Sequence, residues 1–476
     1  MPLGWGSAVR IAGRALMAGP LGVVLMWGGV DTAAADTLEG ALQLAYQNNP
    51  QLNAQRAIVR QTDEGVPQAL AGYRPRISAT ATAGSQTTET LSRANPGGTP
   101  ALYSNLAGTN VPHSVGLSAT QTLYNGLQTA NRTRAAESQV FAARETLRLM
   151  EQQVLLDAAT AYMNLLRDTA IQDLQKRNVE VLQEQLRQTR DRFNVGEVTR
   201  TDVAQAEAAL AGGRSQFLTA EANVTTSRAA YRRVIGVEAG RLGPGTPVDR
   251  FSPTQLGVAV QRGQAENPSV TASMYGVDVA QLQVKIAEGA LYPTLTVTGS
   301  VQQQYESTLT QLRTFNASLL GQLTIPIYQG GGEYSTIRQS KEALGQSRLD
   351  LDTARDQARA NVVQAWGQLQ AAKAQIEATQ VQVSANEIAL NGVREEARVG
   401  QRTTLDVLNA QQALVNARVS LVTAQRDRVV ASYTLLSATG RLSARVLGLK
   451  VAPYDPRVHY HQVRDAWFGL RTPDGR

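Results

Sequence analysis

One phrase occurs twice in this chain. FNVGEVTRTDVAQAEAAL runs from Phe193 to Leu210, and ARVGQRTTLDVLNAQQAL runs from Ala397 to Leu414. Each copy carries a Val-Gly step, a Thr and an Asp-Val, and the two aspartates, Asp202 and Asp406, stand 204 residues apart. Solenoids repeat every ~20–50 residues, so this interval points to a duplicated half-protein. Other pairs keep the interval. Tyr124-Asn125-Gly126 returns as Tyr328-Gln329-Gly330, and Ala161-Tyr162 as Ala365-Trp366, all at 204. Upstream, Asn49-Pro50 matches Asn267-Pro268 and Pro75 matches Pro293, both at 218. The 14-residue difference falls within 76–123, around the turn-rich SRANPGGTPALYSNLAGTNVP; insertions of that size belong at exposed loop tips. Each half thus has a short helix, a stretch ending at Tyr-Arg-Pro or Tyr-Pro, a hairpin with a variable tip, and a long run.

The long runs read as helices. From Val203, positions Ala206, Leu210, Gly213, Phe217, Ala220, Val224, Ser227, Tyr231 and Val234 follow at alternating steps of three and four. Val407, Ala410, Leu414, Ala417, Leu421, Ala424, Ala431, Leu435 and Ala438 answer in the second half, where Arg428 alone breaks the seam. A 3.5-residue period sustained this long is a coiled-coil signal. The stretch from Gly126 to Asn194 holds no Pro and has room for ~100 Å of helix at 1.5 Å per residue. In the repeated phrase, Gly196 and Gly400 suit the left-handed conformation that ends a helix. Thr199-x-x-Asp202 and Thr403-x-x-Asp406 fit the capping box that starts the next. The phrase is a helix reversal, made twice.

Four stretches read as strands: ISATATAG (Ile77 to Gly84), SVGLSATQTLY (Ser114 to Tyr124), PTLTVTGSVQ (Pro293 to Gln302) and FNASLLGQLTIPIY (Phe315 to Tyr328). Apolar and small polar residues alternate in them, and their lengths suit tilted membrane strands. A soluble hairpin on a helical protein is the competing reading. Four strands cannot close a barrel, since ~8 is the smallest number known, and lipid does not tolerate open edges. Membrane strands would therefore require several chains to share one barrel.

Arg10 and Arg14 precede the apolar run Ala15 to Val30, and Ala33-Ala34-Ala35 precedes Asp36. This predicts a signal peptide over 1–35; no later apolar run is long enough for a transmembrane helix. The chain has no Cys, which removes disulfides, thiolate metal sites and Cys nucleophiles. Its net charge of +7 is spread without a basic block, the pattern of a solvated surface rather than a nucleic-acid site. Of the three His, His113 falls in an expected loop tip. His459 and His461 fall in a polar tail expected to be flexible rather than metal-binding. Gly330–Gly332 lacks the Lys of a phosphate loop and reads as a strand-to-helix joint. No enzyme, cofactor or metal is expected. The expected divisions are a first repeat over 36–235, a linker over 236–253, a second repeat over 254–445 and the tail over 446–476.

Together these features resemble the TolC-type outer membrane efflux family over about residues 37–445. The resemblance rests on the opening TLEGALQLAYQNNPQL, the Tyr-Arg-Pro and Tyr-Pro hairpin entries, the exits TLYNG and PIYQG, and the paired VGxxT…DV phrases. It implies a mainly α protein with a membrane β-barrel part, in which a homotrimer shares one twelve-stranded barrel above an α-helical periplasmic tunnel. The implied function is a passive exit duct for an efflux pump or type I secretion system. Its implied partners are a periplasmic adaptor, an inner membrane transporter and outer membrane lipid. Arg402 matches the family's gate arginine and Asp406 an acidic residue lining the constriction; Thr201 and Asp202 match the partners on the other hairpin. Asn409 stands where a second acidic residue often sits, and Ala397 where an aromatic gate residue can occur. The tips Val195-Gly196 and Val399-Gly400 are expected to dock the adaptor. Pure helix capping remains open for Asp202 and Asp406, as does a structural stalk for the whole chain.

Overall fold

The computed structural model describes residues 37–94 and 102–475; the expected signal peptide lies outside the described residues. Three helices open the first half: α1 (Leu38–Asn48), α2 (Pro50–Asp63) and α3 (Gly65–Leu70). Thr37 caps α1 by accepting from the Gly40 N–H at 3.1 Å. Asn49 caps α2, with Pro50 in the first turn, where its missing N–H costs nothing. Pro67 explains the break after α2, because its ring cannot sit against the Asp63 carbonyl one turn earlier. In the second half Lys285 takes the matching place, 218 residues on. There α6 (Leu256–Glu266) is followed by an unbroken α7 (Pro268–Gly289).

Each half then forms an antiparallel hairpin. The strands are β1 (Arg76–Ala83), β2 (Gln86–Ala94), β3 (Leu102–Asn110), β4 (His113–Asn125), β5 (Thr294–Thr308) and β6 (Gln311–Thr324). Four make one sheet in the order β1-β4-β5-β6, while β2 and β3 pair separately. The longer first hairpin is thus a two-stranded ribbon where a turn-rich loop was expected. Its polar residues bond across the strands, as in Thr87–Thr109 at 3.0 Å, so it forms without apolar alternation. His113 accordingly opens β4 instead of lying in a loop tip, and stacks on Tyr305 with ring centroids 4.9 Å apart.

The sheet is sided. Ile77, Ala79 and Ala81 of β1 register with Ala119, Leu117 and Val115 of β4. The same face continues through Gly299 and Val301 of β5 to Leu319 and Ala317 of β6. Serines and threonines fill the other face and bond across strands: Ser78–Ser118 at 2.8 Å, Thr82–Ser114 at 2.7 Å and Ser300–Ser318 at 2.8 Å. The apolar face is uncovered, with Leu319 80% exposed. Each outer strand, β1 and β6, has a partner on one side only.

Four long helices make the rest. They are α4 (Gln128–Asn194) and α8 (Gly332–Arg398), of 67 residues each, with α5 (Arg200–Ile235) and α9 (Thr404–Ala438). At 1.5 Å per residue the two longest span ~100 Å. α4 packs along α5 and α8 along α9; α4 also lies against α9, setting the two hairpins side by side. The expected seam is the buried stripe: Ala206, Leu210, Gly213, Ala220, Val224 and Tyr231 are all buried. A Cβ at Gly213 would stand 2.7 Å from Leu182 Cδ1, so its absence sets how closely the helices approach. Arg428, which breaks the second seam, faces Asp249 at 3.3 Å, and Lys373 reaches the same carboxylate at 3.1 Å.

The main core gathers α1, α2, the middle of α4 and the ends of α5 and α9 around Tyr162, Leu155, Tyr231 and Leu436. The segment joining the halves crosses it, held by the Tyr162 hydroxyl on the Gly243 carbonyl at 2.7 Å and the Val248 N–H on Ser432 Oγ at 3.1 Å. The expected flexible tail is instead a packed strap. Leu447 joins the core, and Leu449, Val451 and Tyr454 lie against it. The Tyr454 N–H donates to Tyr46 at 3.1 Å. Asp455 caps α10 (Pro456–Val463). His459 is buried with Nδ1 3.0 Å from Asp63 Oδ2, while His461 is exposed, so the two histidines do not share a site. These apolar residues, spaced too irregularly for a periodic signal, are what hold the strap down.

Candidate functional site

The two tips repeat one another in their backbone closure and their capping boxes. At the first, Gly196 takes φ 85°. The Gly196 N–H donates to the Phe193 carbonyl at 3.0 Å, and the Glu197 N–H to Arg192 at 2.9 Å. That pair of bonds closes a helix with a left-handed glycine. The Thr199 N–H donates to Asp202 Oδ2 at 2.8 Å, and the Asp202 N–H returns to Thr199 Oγ at 3.4 Å. At the second tip Gly400 takes φ 81°, and the Gln401 N–H donates to Glu396 at 2.9 Å. The box there runs from Thr403 to Asp406 at 3.0 Å and back at 3.3 Å. Capping is therefore a role that Asp202 and Asp406 both perform.

The same bonds set the charge. The Thr199 hydroxyl and then its N–H hold the Asp202 carboxyl below the usual carboxylate range. The Thr403 N–H and then its hydroxyl do the same for Asp406. Both stay ionised where an ordinary carboxyl would begin to protonate. Val195 and Val399 are exposed at the extreme ends, and a Cβ on Gly196 or Gly400 would meet no atom within 4 Å. Above the tips each hairpin has one polar rung in the same place. Arg190 pairs with Glu207 in the first, and Arg394 donates to Gln411 at 3.0 Å in the second. Between the hairpins lies a polar groove of ≈ 760 Å³, lined among others by Arg177, Glu184, Arg192, Arg394 and Arg398.

Arg402 is not with the partners the resemblance assigned. Its Nε donates to Glu396 Oε2 at 2.8 Å, because the turn at Gly400 folds it back onto the end of α8. Thr201 and Asp202 lie on the other hairpin, and the Asp202 carboxylate is already engaged by Thr199. Thr201 and Asn409 are exposed. Sequence reasoning missed Glu396, although a signal existed. Glu396 stands 204 residues after Arg192, which pairs with Glu197 at 2.7 Å. The two tips carry the same kind of clasp with its charges reversed.

The joint between sheet and helices is tight in the first half. Gly126 takes φ 62°, and a Cβ there would sit 2.3 Å from the Gly289 carbonyl oxygen. Its counterpart Gly330 takes φ 73° with open space around it.

A double helical hairpin ~100 Å long, carrying a four-stranded sheet with an uncovered apolar face, is the protomer architecture of an envelope channel. A stalk needs no such sheet. The chain belongs to the outer membrane efflux protein family, which it matches over residues 41–237 and 259–441. It is 44% identical over 445 residues to outer membrane efflux protein BepC of Brucella suis biovar 1, covering 93% of this chain and 94% of that one. It is 28% identical over 359 residues to outer membrane protein TolC of Vibrio cholerae, covering 71% and 80%. The Campylobacter jejuni CmeC outer membrane channel shares its fold at a TM-score of 0.75 and 18% identity, over 90% of this chain and 89% of that one. The protein is thus an outer membrane channel component of the efflux and secretion type.

Proposed function

We propose that three copies of this chain close one twelve-stranded barrel in the outer membrane and one helical tunnel below it. The assembly is a passive exit duct for a tripartite efflux pump or type I secretion system. The observation that carries this reading is the sheet, with one exposed apolar face, one hydroxyl-lined face and two unpaired edges. Lipid suits the first face, a water-filled lumen the second, and neighbouring chains the edges. A second feature supports sharing. Leu349, Val363, Val381 and Ile388 are exposed along α8, at spacings of 14, 18 and 7 residues. Those spacings are near whole turns, so the four form one stripe that a neighbouring chain can cover.

Energy for transport comes from an inner membrane transporter joined through a periplasmic adaptor. The adaptor docks at the exposed tips Val195-Gly196 and Val399-Gly400, where small residues leave the backbone approachable. Arg402, Thr201 and Asp202 latch the resting mouth across neighbouring hairpins. Asp406, with the neutral Asn409 a turn further on, makes a single ring of negative charge that favours cations. Planar-bilayer recording on the purified protein tests the reading. Discrete, cation-selective conductance steps are expected. Protein that inserts and gives no steps would overturn it.

A further inference from the structure

Beyond α10 the strap carries Ala466-Trp467-Phe468-Gly469-Leu470. Trp467 is 63% exposed, Phe468 93% and Leu470 103%. A contiguous apolar cluster left this open marks an interaction surface. Its position decides the partner. Arg74, two residues before β1, donates to the Ala466 carbonyl at 2.6 Å, and its guanidinium lies 4.6 Å from the Trp467 ring centre. The cluster is thereby fixed where the sheet begins. Four exposed tyrosines mark the same level: Tyr73 before β1, Tyr124 at the end of β4, Tyr292 before β5 and Tyr328 after β6.

We propose that Trp467, Phe468 and Leu470 are a lipid anchor, seating the C-terminal strap in the headgroup region at the helical end of the barrel. This rests on the reading of the sheet as membrane-spanning. Three features favour lipid as the occupant. The cluster lies beside the start of β1, whose apolar face opens with the exposed Ile77. Trp and Tyr concentrate at membrane interfaces, where a ring can be half in hydrocarbon and half wet. Arg74 and Arg471 flank the cluster and suit lipid phosphate. The anchor adds a membrane attachment to the contacts the strap makes with the core and with Asp63.

Tryptophan fluorescence tests this directly, since the chain has four Trp and only Trp366 and Trp467 lie beyond the expected signal peptide. The full-length protein is reconstituted into phosphatidylcholine–phosphatidylglycerol vesicles whose acyl chains carry bromine near the headgroup. The difference between Trp366→Phe and the double variant Trp366→Phe/Trp467→Phe isolates the Trp467 emission. About a twofold loss of that emission relative to unbrominated vesicles is expected for an interfacial ring. Unquenched emission at long wavelength, meaning water, would overturn the anchor, as would unquenched emission at short wavelength, meaning cover by a neighbouring chain. Leu323→Trp, on the same apolar face one residue from the helical end of β6, placed in the double-variant background, separates the two readings. If it is quenched and Trp467 is not, the anchor alone fails; if it too is unquenched, the membrane placement of the sheet fails and the anchor with it.

Discussion

Arg402 and Glu396 face each other across the second tip, Nε to Oε2 at 2.8 Å. Both side chains are about half exposed, and an ion pair in water is worth little. The clasp can therefore yield to a better partner, such as the fork-compatible carboxylate of Asp202 on a neighbouring hairpin. Arg402→Ser should raise single-channel conductance by removing the latch. Glu396→Gln should not raise it, because Arg402 stays free to latch. Unchanged conductance in Arg402→Ser would reduce this residue to a local clasp.

Asp406→Asn should weaken cation preference, read as a smaller reversal potential in a salt gradient, while the channel still assembles. The Thr403 bonds keep Asp406 below the ordinary carboxylate range, so its charge persists as the solution is acidified. Selectivity should hold through mild acid and fall only below the ordinary carboxylate range. Loss of selectivity near neutrality would assign it to another group.

Gly126→Ala and Gly330→Ala occupy matching places in the two halves and should differ sharply. Both carry the left-handed strain of about 1–2 kcal/mol. Only the first also drives a Cβ into the Gly289 carbonyl. Gly126→Ala should lower the melting temperature of the purified protein clearly more than Gly330→Ala does. Equal effects would mean that the first joint relaxes.

Burial pushes the Asp63 carboxyl up from its ordinary value, against the opposing pull of His459 and Arg144. Burial does the same to Glu151, which accepts the Ala444 N–H at 2.8 Å. A carboxyl whose folded value exceeds its unfolded one binds its proton more tightly when folded. Its contribution is fully present below the unfolded value and is lost as pH rises through the folded one. Glu151→Gln should therefore flatten the decline in melting temperature as pH rises above the ordinary carboxylate range. An identical slope in the variant would contradict this. Asp63→Ala leaves Arg144 and His459 facing an empty place, and breaking a buried pair costs about 3–5 kcal/mol. Faster protease cleavage near α10 is the expected sign.

What the sequence made legible depended on the range of each interaction. The tips were readable because Gly196, Thr199 and Asp202 act within a few residues of one another, and duplication stated them twice. The seams were readable because coiled-coil packing repeats. The β2–β3 ribbon was hidden, since Thr87, Glu89 and Ser92 face water on both sides and leave no alternation. The strap was hidden too: its partners Tyr46 and Asp63 lie some four hundred residues upstream. The Glu396 partner of Arg402 was hidden because the family pattern directs attention to the other hairpin, whereas the contact within the chain is six residues away.

The central claim is that three chains close one barrel through the free edges of β1 and β6, and the lack of Cys in the chain makes it directly measurable. Ser78→Cys on the hydroxyl face of β1 is combined in turn with Asn316→Cys, Ser318→Cys and Leu320→Cys on the same face of β6. Each double variant is then oxidised in the membrane. At least one should give a covalent ladder of one, two and three chains that stops at three. A ladder running past three, or no bond between chains in any of them, would contradict a closed three-chain barrel.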